Sequence, residues 1–173
     1  MTEQVSLFDS LERLSSPQTR TCPEPMEMLG QDFGFILYSK RISGPREENE
    51  LVLQEVRDRA LVFFEGVFQG VIERADKEKR IRLSVPADGG ELRILVENMG
   101  RTNFGPYLSD RKGVTEGIRF GNQYLYGWTI HTLPLKDLGG LAYGKNVREQ
   151  LVLFELHGFE NPVAQLVDEA ILG

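Results

Sequence analysis

Apolar residues in this chain come in short bursts of two kinds, unbroken runs and strict alternation, and both point to strands. Unbroken runs occur at Phe33–Ile42, Arg59–Phe64 and Gln150–Leu156, whereas Trp128–Leu135 interleaves apolar with polar residues. Alternation marks Glu50–Val56 and Arg80–Pro86, with shorter strand-like pieces at Val67–Arg74, Glu91–Asn98 and Gly117–Phe120. Glycine, proline and asparagine separate these segments at short intervals, so at least eight strands joined by tight turns are predicted. Glu65-Gly66 places a hairpin between the runs at 59–64 and 67–74, and Ala87-Asp88-Gly89-Gly90 predicts a second hairpin between 80–86 and 91–98. Apart from a marginal amphipathic piece (Val5, Leu7, Phe8, Leu11, Leu14), no segment sustains a helical period over three turns. The expected fold is an all-β antiparallel sandwich or jelly roll, not a parallel α/β sheet.

Residues 1–25 read as a linker ending in Cys22-Pro23-Glu24-Pro25, followed by a sandwich over 26–137, a Gly-rich bridge over 138–148 and a tail strand segment over 149–173. A length of 173 residues suits one ordinary domain. The formal charge of −6 weighs against a nucleic-acid partner, which needs clustered Lys and Arg. The lone Cys22 closes no internal disulfide and fits a reducing compartment. Neither a secretory leader nor a run of about 20 apolar residues is present, so no membrane span and a cytoplasmic location are expected.

Four stretches in this order resemble the region that follows the catalytic barrel in family 35 β-galactosidases. They are Met26–Tyr38, Gly66–Gly70, Leu95–Gly105, and Asp110–Val114 leading to Gly127–Ile130. The resemblance covers about Val5 to Leu135 and implies the first galactose-binding-like jelly roll of those enzymes. Leu151–Gly158 and Leu166–Gly173 resemble the extreme C-terminal segment of the same enzymes, with the catalytic barrel and most of a second jelly roll missing from the chain. One departure stands at Glu65, where the family usually has Asn before the hairpin glycine.

A retaining glycosidase sets two carboxyls about 5–5.5 Å apart, one an acid and one a nucleophile. In the family both lie on a (β/α)₈ barrel of roughly 250 residues, so no catalytic residue is expected here. Glu97 and Glu155 are the carboxylates nearest apolar runs, and alternation is expected to turn them to solvent or to an edge. His131 and His157 lie on separate strands without partners at ligand spacing, and Asp110 with Glu116 is too sparse for calcium, so neither a metal nor a cofactor is expected. Asp110-Arg111-Lys112-Gly113 reads as a turn with an ion pair, worth little if exposed. Trp128 reads as core.

The loop from Asn98 to Tyr107 presents sugar-binding residue types, with Asn98, Arg101, Asn103, Phe104 and Tyr107 as candidates. The alternative is that Asn98 and Arg101 hold the loop by bonding backbone carbonyls. Three functions stay open: an accessory module of a β-galactosidase, a weak galactoside-binding lectin, or an interaction remnant without ligand. The partners implied are a galactoside, a catalytic barrel, and a second copy of the chain joined through the tail strand.

Overall fold

A computed structural model describes residues 5–101 and 110–141, which fall into two units: Pro17–Leu135, and the segments before and after it. In the smaller unit a 3-10 turn at Phe8–Ser10 runs into a one-turn helix, α1 (Leu11–Leu14), and the Arg13 guanidinium donates to the Gly140 carbonyl. The tail strand, the dimer it was expected to form, and the bridge beyond Leu141 lie outside the described residues.

The larger unit is two antiparallel sheets. Its strands are β1 (Gln18–Arg20), β2 (Phe35–Ile42), β3 (Arg46–Arg57), β4 (Arg59–Phe64), β5 (Val67–Glu73), β6 (Arg80–Val85), β7 (Gly90–Glu97), β8 (Gly113–Phe120), β9 (Gln123–Tyr124) and β10 (Trp128–Leu133). Six strands run in the order β1-β10-β2-β7-β4-β5, and four in the order β6-β3-β8-β9. The all-β antiparallel sandwich predicted from the strand pattern is what forms.

The core lies between the sheets. Ile36, Tyr38, Val62, Ile94, Val96, Trp128 and Ile130 of the larger sheet meet Leu51, Leu53, Val56, Leu83, Val114, Ile118 and Phe120 of the smaller. Trp128 is fully buried, as the alternation of its strand predicts, with its indole N–H donating to the Leu125 carbonyl at 2.8 Å. Successive residues face opposite sides of a sheet, yet Phe35, Leu37, Leu61 and Leu95, which alternate with core residues, are buried too. The central strands β2, β4 and β7 therefore keep much of both faces from water, which accounts for their unbroken apolar runs. The smaller sheet buries one face, and β6 alternates between exposed and buried along its length.

Two expectations need correction. Strands β6 and β7 follow one another through a tight turn, with the Gly89 N–H donating to the Pro86 carbonyl at 2.9 Å, but they do not pair as a hairpin. Instead β6 pairs with β3, while β7 sits between β2 and β4. The stretch read as a linker also contains β1, which adds to the larger sheet at β10. The hairpin of β4 with β5 forms as predicted, and Glu65 adopts the left-handed conformation (φ 49°) that Asn would tolerate more easily. Its side chain offsets that strain by accepting from the Glu91 N–H, while its own N–H donates to the Glu91 carbonyl at 2.9 Å.

Candidate functional site

One corner of the sandwich gathers the ends of β3, β4, β7 and β8 with the 3-10 turn at Met26–Leu29, and among the described residues it holds the buried charged side chains Glu97, Asp110 and Lys112. Asp110 and Lys112, read from the sequence as a turn with an ion pair worth little if exposed, do pair, and they are only 4% and 1% exposed. The Lys112 ammonium donates to both oxygens of Asp58 at 2.9 and 2.7 Å and lies 2.8 Å from an Asp110 oxygen. Asp110 also accepts from Arg57 at 3.1 Å and from Arg74 at 3.0 Å. Charge removed from water requires such compensation. Burial alone would raise the Asp110 carboxyl, but the hydrogen bonds from Lys112, Arg74 and Arg57 outweigh it and hold its pKa down at about 2.

The network fixes the backbone around it. Asp58 accepts from the Met99 N–H at 2.9 Å, and Glu27 accepts from the Lys112 N–H at 3.1 Å. The Met26 N–H in turn donates to the Lys112 carbonyl at 2.8 Å. Asn98 and Arg101, proposed as sugar ligands, both reach back to one carbonyl. Asn98 Nδ2 donates to Asp32 O at 3.0 Å, and Arg101 donates twice to the same oxygen, at 3.2 and 2.9 Å. Arg101 further donates to the Asp110 carbonyl at 3.0 Å and pairs with Glu27 at 2.6 Å. In the described geometry these two side chains join loops to one another. The other three candidates, Asn103, Phe104 and Tyr107, lie outside the described residues. Met28, Phe33 and Met99, which sequence reasoning passed over, stand exposed next to these tethered residues.

Glu97 was expected to face solvent or an edge, but β7 lies inside the sheet between β2 and β4. Glu97 is 5% exposed, and its Oε2 has no hydrogen-bond partner among the described residues. The reason is the doubly covered sheet: alternation puts Glu97 on the outer face of β7, but that face is itself buried. Burial raises its pKa, against the favourable charge of Arg59. A carboxyl raised in the folded state lends stability that is full below its unfolded pKa and is lost as pH rises through its folded one. Glu97→Gln is therefore expected to unfold at a higher temperature than the parent at about pH 7 and level with it near pH 3.5, as thermal melts at the two pH values would show.

Among the described residues no group of three or more His, Cys, Asp or Glu is placed to hold a metal ion, and no helix is long and apolar enough to cross a membrane.

A two-sheet sandwich with a salt-linked corner defines a β-sandwich module. The family model described as "Beta-galactosidase, first all-beta domain" matches residues 23–136, and the chain belongs to this family. The beta-galactosidase of Xanthomonas manihotis is 38% identical over 135 residues, covering 78% of this chain and 22% of that protein. Beta-galactosidase 1 of Dictyostelium discoideum is 37% identical over 155 residues (79% and 23%). The human beta-galactosidase is 35% identical over 139 residues (75% and 20%). The chain spans about a fifth of the length of these relatives.

Proposed function

We propose that this chain acts as the non-catalytic, galactose-binding-like jelly-roll module of a family 35 β-galactosidase, folding by itself and supporting a catalytic barrel that hydrolyses terminal β-galactosides. One observation carries the reading: the residues matched to the family, 23–136, coincide with the unit Pro17–Leu135 that closes around its own core. The state of the clustered carboxylates agrees with it. A retaining pair needs an open cleft with one carboxyl raised and one ionised, whereas Asp58 and Asp110 are clamped by Lys112, Arg57 and Arg74.

The test is to mix the purified chain with the separately expressed barrel of a relative and follow a chromogenic β-galactoside. The chain alone is expected to give no turnover, and its addition to raise the barrel's activity or melting temperature. Turnover that stays with the isolated chain through purification would overturn the non-catalytic reading. A barrel indifferent to the chain at tens of micromolar would overturn the supporting role.

A further inference from the structure

Away from that corner, at the open rim of the four-stranded sheet, an irregularity in β3 meets the turn joining β8 to β9. The register of β3 against β6 shifts between Arg46 and Asn49, and such bulges re-aim side chains. Here they border an open pocket of about 410 Å³ lined by Arg46, Glu47, Asn49, Phe120, Asn122 and Gln123. That volume lies at the low end of small-molecule sites, about 300–1,000 Å³.

Part of this wall is held in place. The Arg46 guanidinium donates to the Ser43 carbonyl at 3.0 Å and to Gln123 Oε1 at 3.3 Å, and lies 5.6 Å from the centroid of the Phe120 ring. Asn49 Oδ1 accepts from the Glu50 N–H at 2.9 Å. The Asn49 amide also packs so close to Gly121 that a Cβ there would stand 2.7 Å from Nδ2. The remaining capacity is unspent: the side chains of Glu47 and Asn122 take part in none of the hydrogen bonds or ion pairs found among the described residues.

The chemistry of the wall selects its occupant. Side-chain amides both donate and accept, Arg46 donates and Glu47 accepts, so the pocket suits a ligand whose polar groups do both, as hydroxyls do. One cation beside one anion gives no preference for a charged ligand. The one apolar residue, Phe120, is 4% exposed and capped by Arg46, so a greasy ligand has little to bury against. We propose that Arg46, Glu47, Asn49, Asn122 and Gln123 form a weak binding pocket for a neutral mono- or disaccharide. It is separate from the Asn98–Arg101 corner and does not depend on the docking of a barrel. A site this open holds few ligand atoms out of water, and a dissociation constant on the order of 10 mM is expected.

The experiment is a two-dimensional NMR titration of the full chain, following the side-chain amide signals of Asn49, Asn122 and Gln123. Methyl β-galactoside and methyl β-glucoside are the probes, with sodium sulfate as the charged comparison. At least one glycoside is expected to give saturable shifts at these amides, and Asn122→Ala and Glu47→Ala to weaken them at least tenfold without altering the rest of the spectrum. Both substituted side chains are exposed, so folding should be unaffected. The pocket is refuted by shifts that rise linearly without saturating, by saturation at Asn98 and Arg101 instead, by a response to sulfate alone, or by saturation that survives both substitutions.

Discussion

Replacing Lys112 with methionine is expected to cost about 3–5 kcal/mol, the usual penalty for removing one partner of a buried ion pair, and to lower the melting temperature by roughly 10 °C. Lys112 is the residue that Asp58 and Asp110 share, and its ammonium contacts both at 2.9 Å or closer. Methionine fills similar space but leaves the buried Asp110 and the half-buried Asp58 to Arg57 and Arg74, whose side chains are partly exposed. Adding Asp58→Asn should recover part of the loss, because the amide oxygen can still accept the Met99 N–H while the anion facing the gap is gone. Such non-additivity marks a coupled pair. The penalty should also shrink in acid. The folded pKa of Asp110 lies below its ordinary value of 3.8, at about 2, so its contribution is complete above pH 4 and is lost as pH falls toward 2. Equilibrium unfolding in urea at several pH values measures all three effects. A loss under 1 kcal/mol at neutral pH, or a double variant no better than the sum, would show that the corner does not depend on Lys112.

That corner is also where sequence reasoning was weakest. The strands were legible because their apolar period is local: Arg80–Val85 alternates and makes a one-sided strand, while Ala60–Phe64 and Ile94–Val96 run unbroken and make two-sided ones. The same contrast explains the mistaken hairpin. A strand buried on one face and a strand buried on both have different destinations, so β6 and β7 separate into different sheets despite the glycine turn between them. The ion pair within Asp110-Arg111-Lys112 was legible, but not its burial or its links to Asp58 and Arg74, which come from distant positions, and charged residues are ordinarily exposed. Alternation assigned Glu97 to the right face and the wrong environment, because it reports which side a residue faces and not what covers that side. For Asn98 and Arg101, residue type left two readings open, sugar contacts or bonds to backbone carbonyls; both side chains converge on the Asp32 carbonyl, an acceptor no spacing rule could have named.

Gly113, at the start of β8, predicts the other large effect, and its origin can be isolated by pairing two substitutions. Its φ of 110° is one that side-chain-bearing residues rarely adopt, and a Cβ added there would lie 2.4 Å from the Tyr38 hydroxyl. That hydroxyl has nowhere to go. It accepts from the Val114 N–H at 3.1 Å and donates to the Glu24 carbonyl at 2.8 Å, while the ring meets Trp128 edge-on at a centroid distance of 6.4 Å. Moving the fully buried tyrosine strips both hydrogen bonds and disturbs the packing of the tryptophan. Gly113→Ala is therefore expected to cost about 3 kcal/mol or more, combining overpacking with backbone strain. Tyr38→Phe alone, which leaves the Val114 donor and the Glu24 acceptor unpaired, should cost about 1–3 kcal/mol. In the double variant the hydroxyl that obstructs the new methyl is absent, so only the strain at φ adds to the loss of the bonds. The double should then fall short of the sum by about 1 kcal/mol or more, a coupling readable from urea unfolding midpoints. Strict additivity would place the cost of Gly113→Ala in the backbone alone and remove the Tyr38 hydroxyl as the reason glycine is needed where β8 enters the core.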